Sequence, residues 1–381
     1  MTARPTFDSG FTTPELSQLF SDQATVAALL EFEAALALSL VDTGIAPQAA
    51  AEEVSAACRA GVPDPAAILD STWETGTPLL ALRQEVTAGM APESAQWFHY
   101  GATTQDAVDT GLGLQSRQGL SILEEGLLRM VRRLVELTTE NRDRPQTGRT
   151  FLQPALPTTF GLRTAGWLAS TLDRIAELRA ADESLQVQLG GSNGTLSAYG
   201  DRGATVVSAL ATRLGLRAPD VTWHADRTST LSMAQTLGRV AATMGKIATD
   251  VAILTSPEIA EITVRSGGSS SMPAKENPLD PIRARAAAAA CTGAVAMLGA
   301  APSVELDRGV GGWHVEWLAI PLAFQTCGAS VEAMRWCLDS VVVDADRMES
   351  RAPGPVSPAI GPQIDAVLAR ASKTLETIRG T

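Results

Sequence analysis

The chain has 381 residues, of which 45% are hydrophobic and 19% charged, enough length for a large core or two to three domains. A formal net charge of -12 argues against loose electrostatic adhesion to nucleic acid or to an anionic membrane surface. It leaves room for a small anionic substrate, because local Arg and Lys side chains set the field inside a cleft.

The opening segment, MTARPTFDSGFTTPELSQLF, lacks the basic-then-apolar pattern of an export signal. No stretch reaches the roughly 20 uninterrupted apolar residues of a membrane helix. Residues 21–42 then read as a helix, with Ser21 as N-cap, Asp22 in the first turn and a broad apolar face through Val26, Leu29, Leu30 and Phe32. Shorter helices follow at 46–60 and 78–90, separated by a Pro/Asp segment around Pro63 and Pro65. From about residue 104 the pattern changes to long helices, at 106–140, 158–188, 229–254, 281–300 and 314–338. Leu123, Leu127, Met130, Leu134 and Leu137 show the three- and four-residue spacing in the first of them. Asp280-Pro281 reads as a helix start with Asp as cap and Pro at the first helical position. Helices of this length span about 30–50 Å at roughly 1.5 Å per residue and bury their apolar faces only against one another, within a bundle or across subunits. Residues 351–363, RAPGPVSPAIGPQ, read as a linker, and 363–377 as a closing amphipathic helix.

Aromatic residues are only 4% of the chain and helix formers dominate, so the expected fold is all-α: an N-terminal helical domain over 1–103, a central long-helix bundle over 104–340, and a short C-terminal linker and helix over 341–381. Cys58, Cys291, Cys327 and Cys337 have no CxxC spacing and lie in apolar stretches, which suits core thiols in a reducing cytoplasm. There is no HExxH, no clustered His/Asp spacing, no dinucleotide or Walker loop and no GxSxG elbow, so neither metal nor organic cofactor is expected.

The chemistry sits in the punctuation between the long helices. Residues 263–278 read TVRSGGSSSMPAKENP. Gly267 and Gly268 permit unusual backbone angles, Pro273 and Pro278 stiffen the exit, and Lys275 and Asn277 present a cation and an amide. Such a loop suits acid/base work on an anion, although a Gly/Ser run taken alone is more often a solvated linker. A second segment, His99-Tyr100-Gly101-Ala102-Thr103-Thr104-Gln105-Asp106 followed by Asp109-Thr110, puts Thr103, Thr104 and Gln105 at the start of a long helix, where an anion is favoured. A third runs from Gly148 through Arg149, Thr150, Phe151, Leu152, Gln153 and Pro154 to Gly161. Two more are Trp223-His224-Ala225-Asp226-Arg227 and Asp307-Arg308-Gly309-Val310-Gly311-Gly312-Trp313-His314-Val315-Glu316-Trp317. All 3 histidines of the chain fall inside these segments.

Residues 268–278 resemble the GSSxMPxKxNP signature of the fumarase/aspartase superfamily, with every fixed position filled. The segment from His99 resembles the H-x-G-A-T-S-Q-D…D-T motif of the same superfamily, with Thr104 keeping the hydroxyl of the usual Ser, and the third matches its T-x-x-Q-x-A-x-P-x-T-x-G frame. The resemblance covers about residues 15 to 345 and is strongest at the motifs. It implies Ser269 as the base that removes a proton α to a carboxylate, with Lys275 and His99 as further catalytic groups. It implies substrate contacts from Thr103, Thr104, Gln105, Arg149, Thr150, Gln153, Ser270, Asn277, His224, Arg227 and His314. It also implies a homotetramer whose active sites each draw motifs from three subunits.

Within the superfamily, the stretches GRTFLQ, WHADR and DRGVGGWHVEW are similar to those of the carboxymuconate cycloisomerases. That similarity implies reversible lactonisation of a muconate tricarboxylate in the β-ketoadipate route of aromatic catabolism. Adenylosuccinate and argininosuccinate lyases carry a histidine near Phe151. The alternatives are a sulfomuconate-type cycloisomerase, an adenylosuccinate lyase, a non-catalytic structural protein on the same scaffold and a binding module for aromatic acids; Phe151 counts against the second, and Ser269, Lys275 and Asn277 together count against the third.

Overall fold

The computed structural model describes residues 8–272, 275–300 and 304–379; Pro273 of the signature loop lies outside them. It is 68% helical. Seven helices carry the architecture: α1 (Asp22–Asp42), α2 (Thr104–Glu140), α3 (Phe160–Ser184), α4 (Thr228–Leu254), α5 (Leu279–Ala300), α6 (Gly312–Asp339) and α7 (Ile360–Arg379). Their bounds follow the sequence periodicity to within a few residues. Ser21 caps α1 as expected, its Oγ accepting from the Ala24 N–H at 3.3 Å.

Helices α2, α3, α4, α5 and α6 share one long apolar core, with Leu123, Leu127, Leu134, Leu168, Val240, Met244, Cys291 and Phe324 buried along it. A second core forms around α1 from Leu29, Phe32, Leu36 and Leu40, and reaches Leu114 of α2 and Leu210 of the helix Gly203–Leu214. A small third core seats Ile360 and Ile364 of α7 against Ala165 of α3. Arg142–Asp365 and Arg370–Asp173 ion pairs flank it.

Four local features refine or depart from the sequence expectation. Helix α1 is long and apolar enough to cross a membrane by length and composition, yet 61% of that window is buried and Glu33 lies in its middle, so in this fold it is a core helix. The Pro/Asp segment leads from Pro63 into two short helices, Pro65–Asp70 and Thr72–Thr75. Asp280 does not cap α5. It is the second helical residue, and its buried carboxylate pairs with Arg265 at 2.5 Å, so a tertiary ion pair displaces the local cap. The third motif is an antiparallel hairpin of β1 (Pro145–Thr150) and β2 (Gln153–Thr159). Its two turn residues, Phe151 and Leu152, have φ of 50° and 64°, the left-handed region that a two-residue hairpin turn demands and that non-glycine residues rarely occupy.

Candidate active site

Helix α2 has 37 residues, a span of about 55 Å at 1.5 Å per residue, and the motif segments sit at its two ends.

At the N-terminal end Thr103 is the N-cap residue, as the sequence suggests. Asp106, fully buried in the first turn, accepts from the backbone N–H of Thr103 at 3.0 Å, Gly190 at 3.0 Å and Gly191 at 2.9 Å. His224 Nε2 lies 2.6 Å from the same carboxylate. Asp106 therefore ties the helix start, the Gly190–Gly191 loop and the WHADR segment into one unit. Gln105 is also fully buried and donates to the His224 carbonyl at 2.9 Å. Thr104 shares a 2.9 Å hydroxyl contact with Thr77. Gly101 makes the close chain approach here: its φ is 71°, and a Cβ there would sit 2.7 Å from Ala198 and the Tyr199 ring.

His99 is held by Glu33 of α1, whose carboxylate lies 2.6 Å from Nδ1 and accepts from the His99 backbone N–H at 3.0 Å. Burial disfavours the charged imidazole, but Glu33, by charge and hydrogen bond, outweighs it and raises His99 above the ordinary value of 6.5.

One turn along α2, Asp109 and Glu316 enclose Arg227. The guanidinium donates to Asp109 at 2.8 and 2.9 Å and to Glu316 at 2.9 and 2.5 Å. Trp313 Nε1 adds a 2.8 Å bond to Asp109. All four side chains are buried. Burial opposes the Arg227 charge, but its two carboxylates override that and push its pKa up. Burial likewise lifts Glu316 above the usual carboxylate range, against the pull of Arg227. Arg227 thus has its charge neutralised inside the protein. His314, by contrast, is exposed and packs its ring against Trp313 and Trp317.

At the opposite end, Arg149 of β1 donates to the fully buried Glu261 at 2.7 Å. Gln146 donates to the second Glu261 oxygen at 2.7 Å and accepts from Arg163 at 2.8 Å. Thr150, Phe151, Leu152 and Gln153 form the exposed hairpin tip, with Phe151 100% exposed. Glu261 precedes Ser269 of the signature loop by eight residues. The loop leaves and re-enters through a small antiparallel pairing, Ser266 with Pro278 and Gly267 with Asn277. Its main geometric feature is at Ser269, whose Oγ accepts from the backbone N–H of Met272 at 3.1 Å and of Ser271 at 3.4 Å. Ser270, Lys275 and Glu276 are exposed, and Asn277 is half-buried at the loop base.

One chain thus brings together His99, Thr103, Thr104, Gln105, His224, Arg227 and His314 at one end of the bundle. Arg149, Thr150, Gln153, Ser269, Ser270, Lys275 and Asn277 are at the other. Sequence reasoning assigned no role to Glu33, Asp109, Glu261, Arg308 or Glu316. Glu33 had one visible signal, a carboxylate inside an apolar helical stripe.

A profile of the lyase family matches residues 9–293, three quarters of the chain. The chain belongs to the fumarase/aspartase superfamily of lyases. Among superfamily members it is 39% identical over 358 residues to 3-carboxy-cis,cis-muconate cycloisomerase of Pseudomonas aeruginosa, covering 91% of this chain and 77% of that protein. It is 34% identical over 347 residues to trans-aconitate decarboxylase 1 of Mycosarcoma maydis, covering 89% and 70%. The crystal structure of 3-carboxy-cis,cis-muconate lactonizing enzyme from Pseudomonas putida superposes with a TM-score of 0.85 at 34% identity, over 92% of this chain and 79% of that chain. That solved structure shares the long-helix bundle, in line with the all-α expectation.

Proposed function

We propose that the protein is a 3-carboxy-cis,cis-muconate cycloisomerase, closing a γ-lactone by intramolecular addition of a carboxylate across a conjugated double bond. The observation that carries this reading is the Ser269 hydroxyl, which accepts two backbone N–H groups of its own loop. Two converging N–H dipoles stabilise an alkoxide more than the neutral hydroxyl, and so lower the barrier to using a serine as a base. The substrate comes from three relatives at 34–39% identity that carry the name 3-carboxy-cis,cis-muconate cycloisomerase.

In the elimination direction the Ser269 alkoxide takes the proton from the carbon α to a carboxylate. An enediolate-like dianion develops, the C–O bond of the lactone breaks, and the ring oxygen leaves as a carboxylate. Lactonisation is the reverse, with Ser269 returning the proton to carbon. The Lys275 ammonium and the Asn277 amide hold the carboxylate on which charge develops. Phe151 fits this reaction because the leaving group is a carboxylate with an ordinary pKa near 4, which departs without an acid. An amine leaving group needs a delivered proton, and an aromatic ring has none to give.

Arg227 and Gln105 act in this reading as positioning residues, since their donors are already satisfied inside the protein. His99, Thr103 and Thr104 face the substrate. The working enzyme is a homotetramer in which one subunit's His99–Thr104 end meets the Arg149–Gln153 and Ser269–Asn277 ends of others. The separation of those ends along α2 supports this, as do exposed apolar side chains such as Ile282, Leu306 and Leu318. The four buried free thiols suit a reducing cytoplasm.

The test is ultraviolet monitoring of 3-carboxymuconate with purified protein, alongside adenylosuccinate and argininosuccinate. Conversion of the muconate with no fumarate release from the other two is expected. Efficient cleavage of either succinate compound would reject the cycloisomerase reading. Light scattering should give four chains per particle, and an active monomer would reject the shared site.

A further inference from the structure

The segment Glu305–Gly311 leads into α6, and its folding drives one side chain inward. The Glu305 carboxylate accepts from the Val310 N–H at 2.9 Å, and the Arg308 N–H donates to the Glu305 carbonyl at 3.1 Å. This tight turn leaves Leu306 and Val310 outside, 91% and 83% exposed, and sends Arg308 toward the start of α2. There its guanidinium donates to Thr103 Oγ1 at 3.1 Å, to the Ser192 carbonyl at 3.0 Å and to the Gly191 carbonyl at 3.4 Å.

All three acceptors are neutral oxygens. Among the described residues no carboxylate lies within ion-pair distance of Arg308: Glu305 is turned to Val310, Asp307 is exposed, and Asp106 and Asp109 are engaged by His224 and Arg227. Arg227, at the same end of the bundle, shows the alternative, a guanidinium matched by two acids. A guanidinium has five N–H donors in a planar fork, so the observed contacts fix its position while leaving donors and the whole charge for a partner. The local field also calls for an anion, because Arg308 stands beside the positive end of a 37-residue helix.

We propose that Arg308 determines specificity for a tricarboxylate: it binds the substrate carboxylate that neither closes the ring nor flanks the carbon receiving the proton. This rests on the functional reading above and extends it to the feature that separates a carboxymuconate from a plain muconate. Thr103 holds the fork through its Oγ1, and the Gly191–Ser192 carbonyls fix its plane.

Calorimetric binding of propane-1,2,3-tricarboxylate and of glutarate, which lacks only the middle carboxylate, tests this on the intact enzyme. Wild type should bind the tricarboxylate more tightly. Arg308→Met should weaken the tricarboxylate by about 10- to 100-fold, the range for one charged hydrogen-bonded contact, and change glutarate less than about twofold. Arg308→Lys should restore part of the gap and also serves if the Met variant misfolds. Equal weakening of both ligands would make Arg308 a structural staple and overturn the proposal, as would no change in either. Because binding needs no turnover, a wild type that fails to lactonise carboxymuconate yet shows the Arg308-dependent gap would reject the reaction and keep the tricarboxylate site.

Discussion

The two ends of the bundle are built on opposite principles. At the His99 end, function-bearing side chains are embedded in a buried polar lattice. Asp106 collects three backbone N–H groups and a histidine, and Arg227 is locked between two acids. At the Ser269 end the corresponding groups ride on turns: an exposed hairpin tip and a loop closed by two residue pairs. The first arrangement fixes geometry before anything binds. The second keeps its reactive groups outside the core, where substitution changes chemistry without changing the fold. Stability and catalysis should therefore separate by end.

The sharpest test is Ser269→Ala. On this comparison it removes at least about 100-fold of kcat, the lower bound for a positioned general base, while the melting temperature stays within about a degree. A variant keeping more than a hundredth of wild-type kcat would remove Ser269 as the base. Lys275→Met should raise KM and lower kcat with equally little effect on melting, because the residue is exposed.

Arg227→Met is the opposite case. It leaves Asp109 and Glu316 as uncompensated buried carboxylates, so urea unfolding should report a loss of about 3–5 kcal/mol. A loss under about 1 kcal/mol would mean that Arg227 does not compensate the two buried acids.

The Glu33–His99 pair gives a pH signature confined to the first end. Glu33 raises the folded-state value of His99 above 6.5, so the pair's contribution is fully present below pH 6.5 and is lost as pH rises through the raised value. Glu33→Gln should lower the melting temperature at pH 6 by more than at pH 9, because the charged pair exists only below the raised His99 value. A pH-independent difference would contradict the ion pair.

The smallest effect belongs to the hairpin. Leu152→Gly should stabilise by about 1 kcal/mol or less, because glycine accepts the φ of 64° without a Cβ clash. Loss of stability by thermal denaturation would show that Leu152 is instead an apolar contact in the assembled enzyme.

The sequence by itself determined the helices and the motif residues. Helical periodicity, the cap at Ser21 and the N-cap position of Thr103 are local properties, written within a few residues of where they act. The signature around Ser269 is likewise contiguous. Other features were decided by tertiary structure, because their partners lie far apart along the chain. Glu33 meets His99 across 66 residues, Arg227 meets Asp109 across 118, and Arg308 reaches Thr103 across 205. Asp280 shows the two levels in conflict: its local pattern is a helix cap, but Arg265 across a turn offers a charge-assisted bond that a backbone N–H cannot match. The same holds for the hairpin at 145–159, where pairing between strands sets backbone angles at Phe151 and Leu152 that neither residue favours alone. Periodicity reports which face of an element is apolar; it carries no information about which distant charge will meet that element once the helices pack.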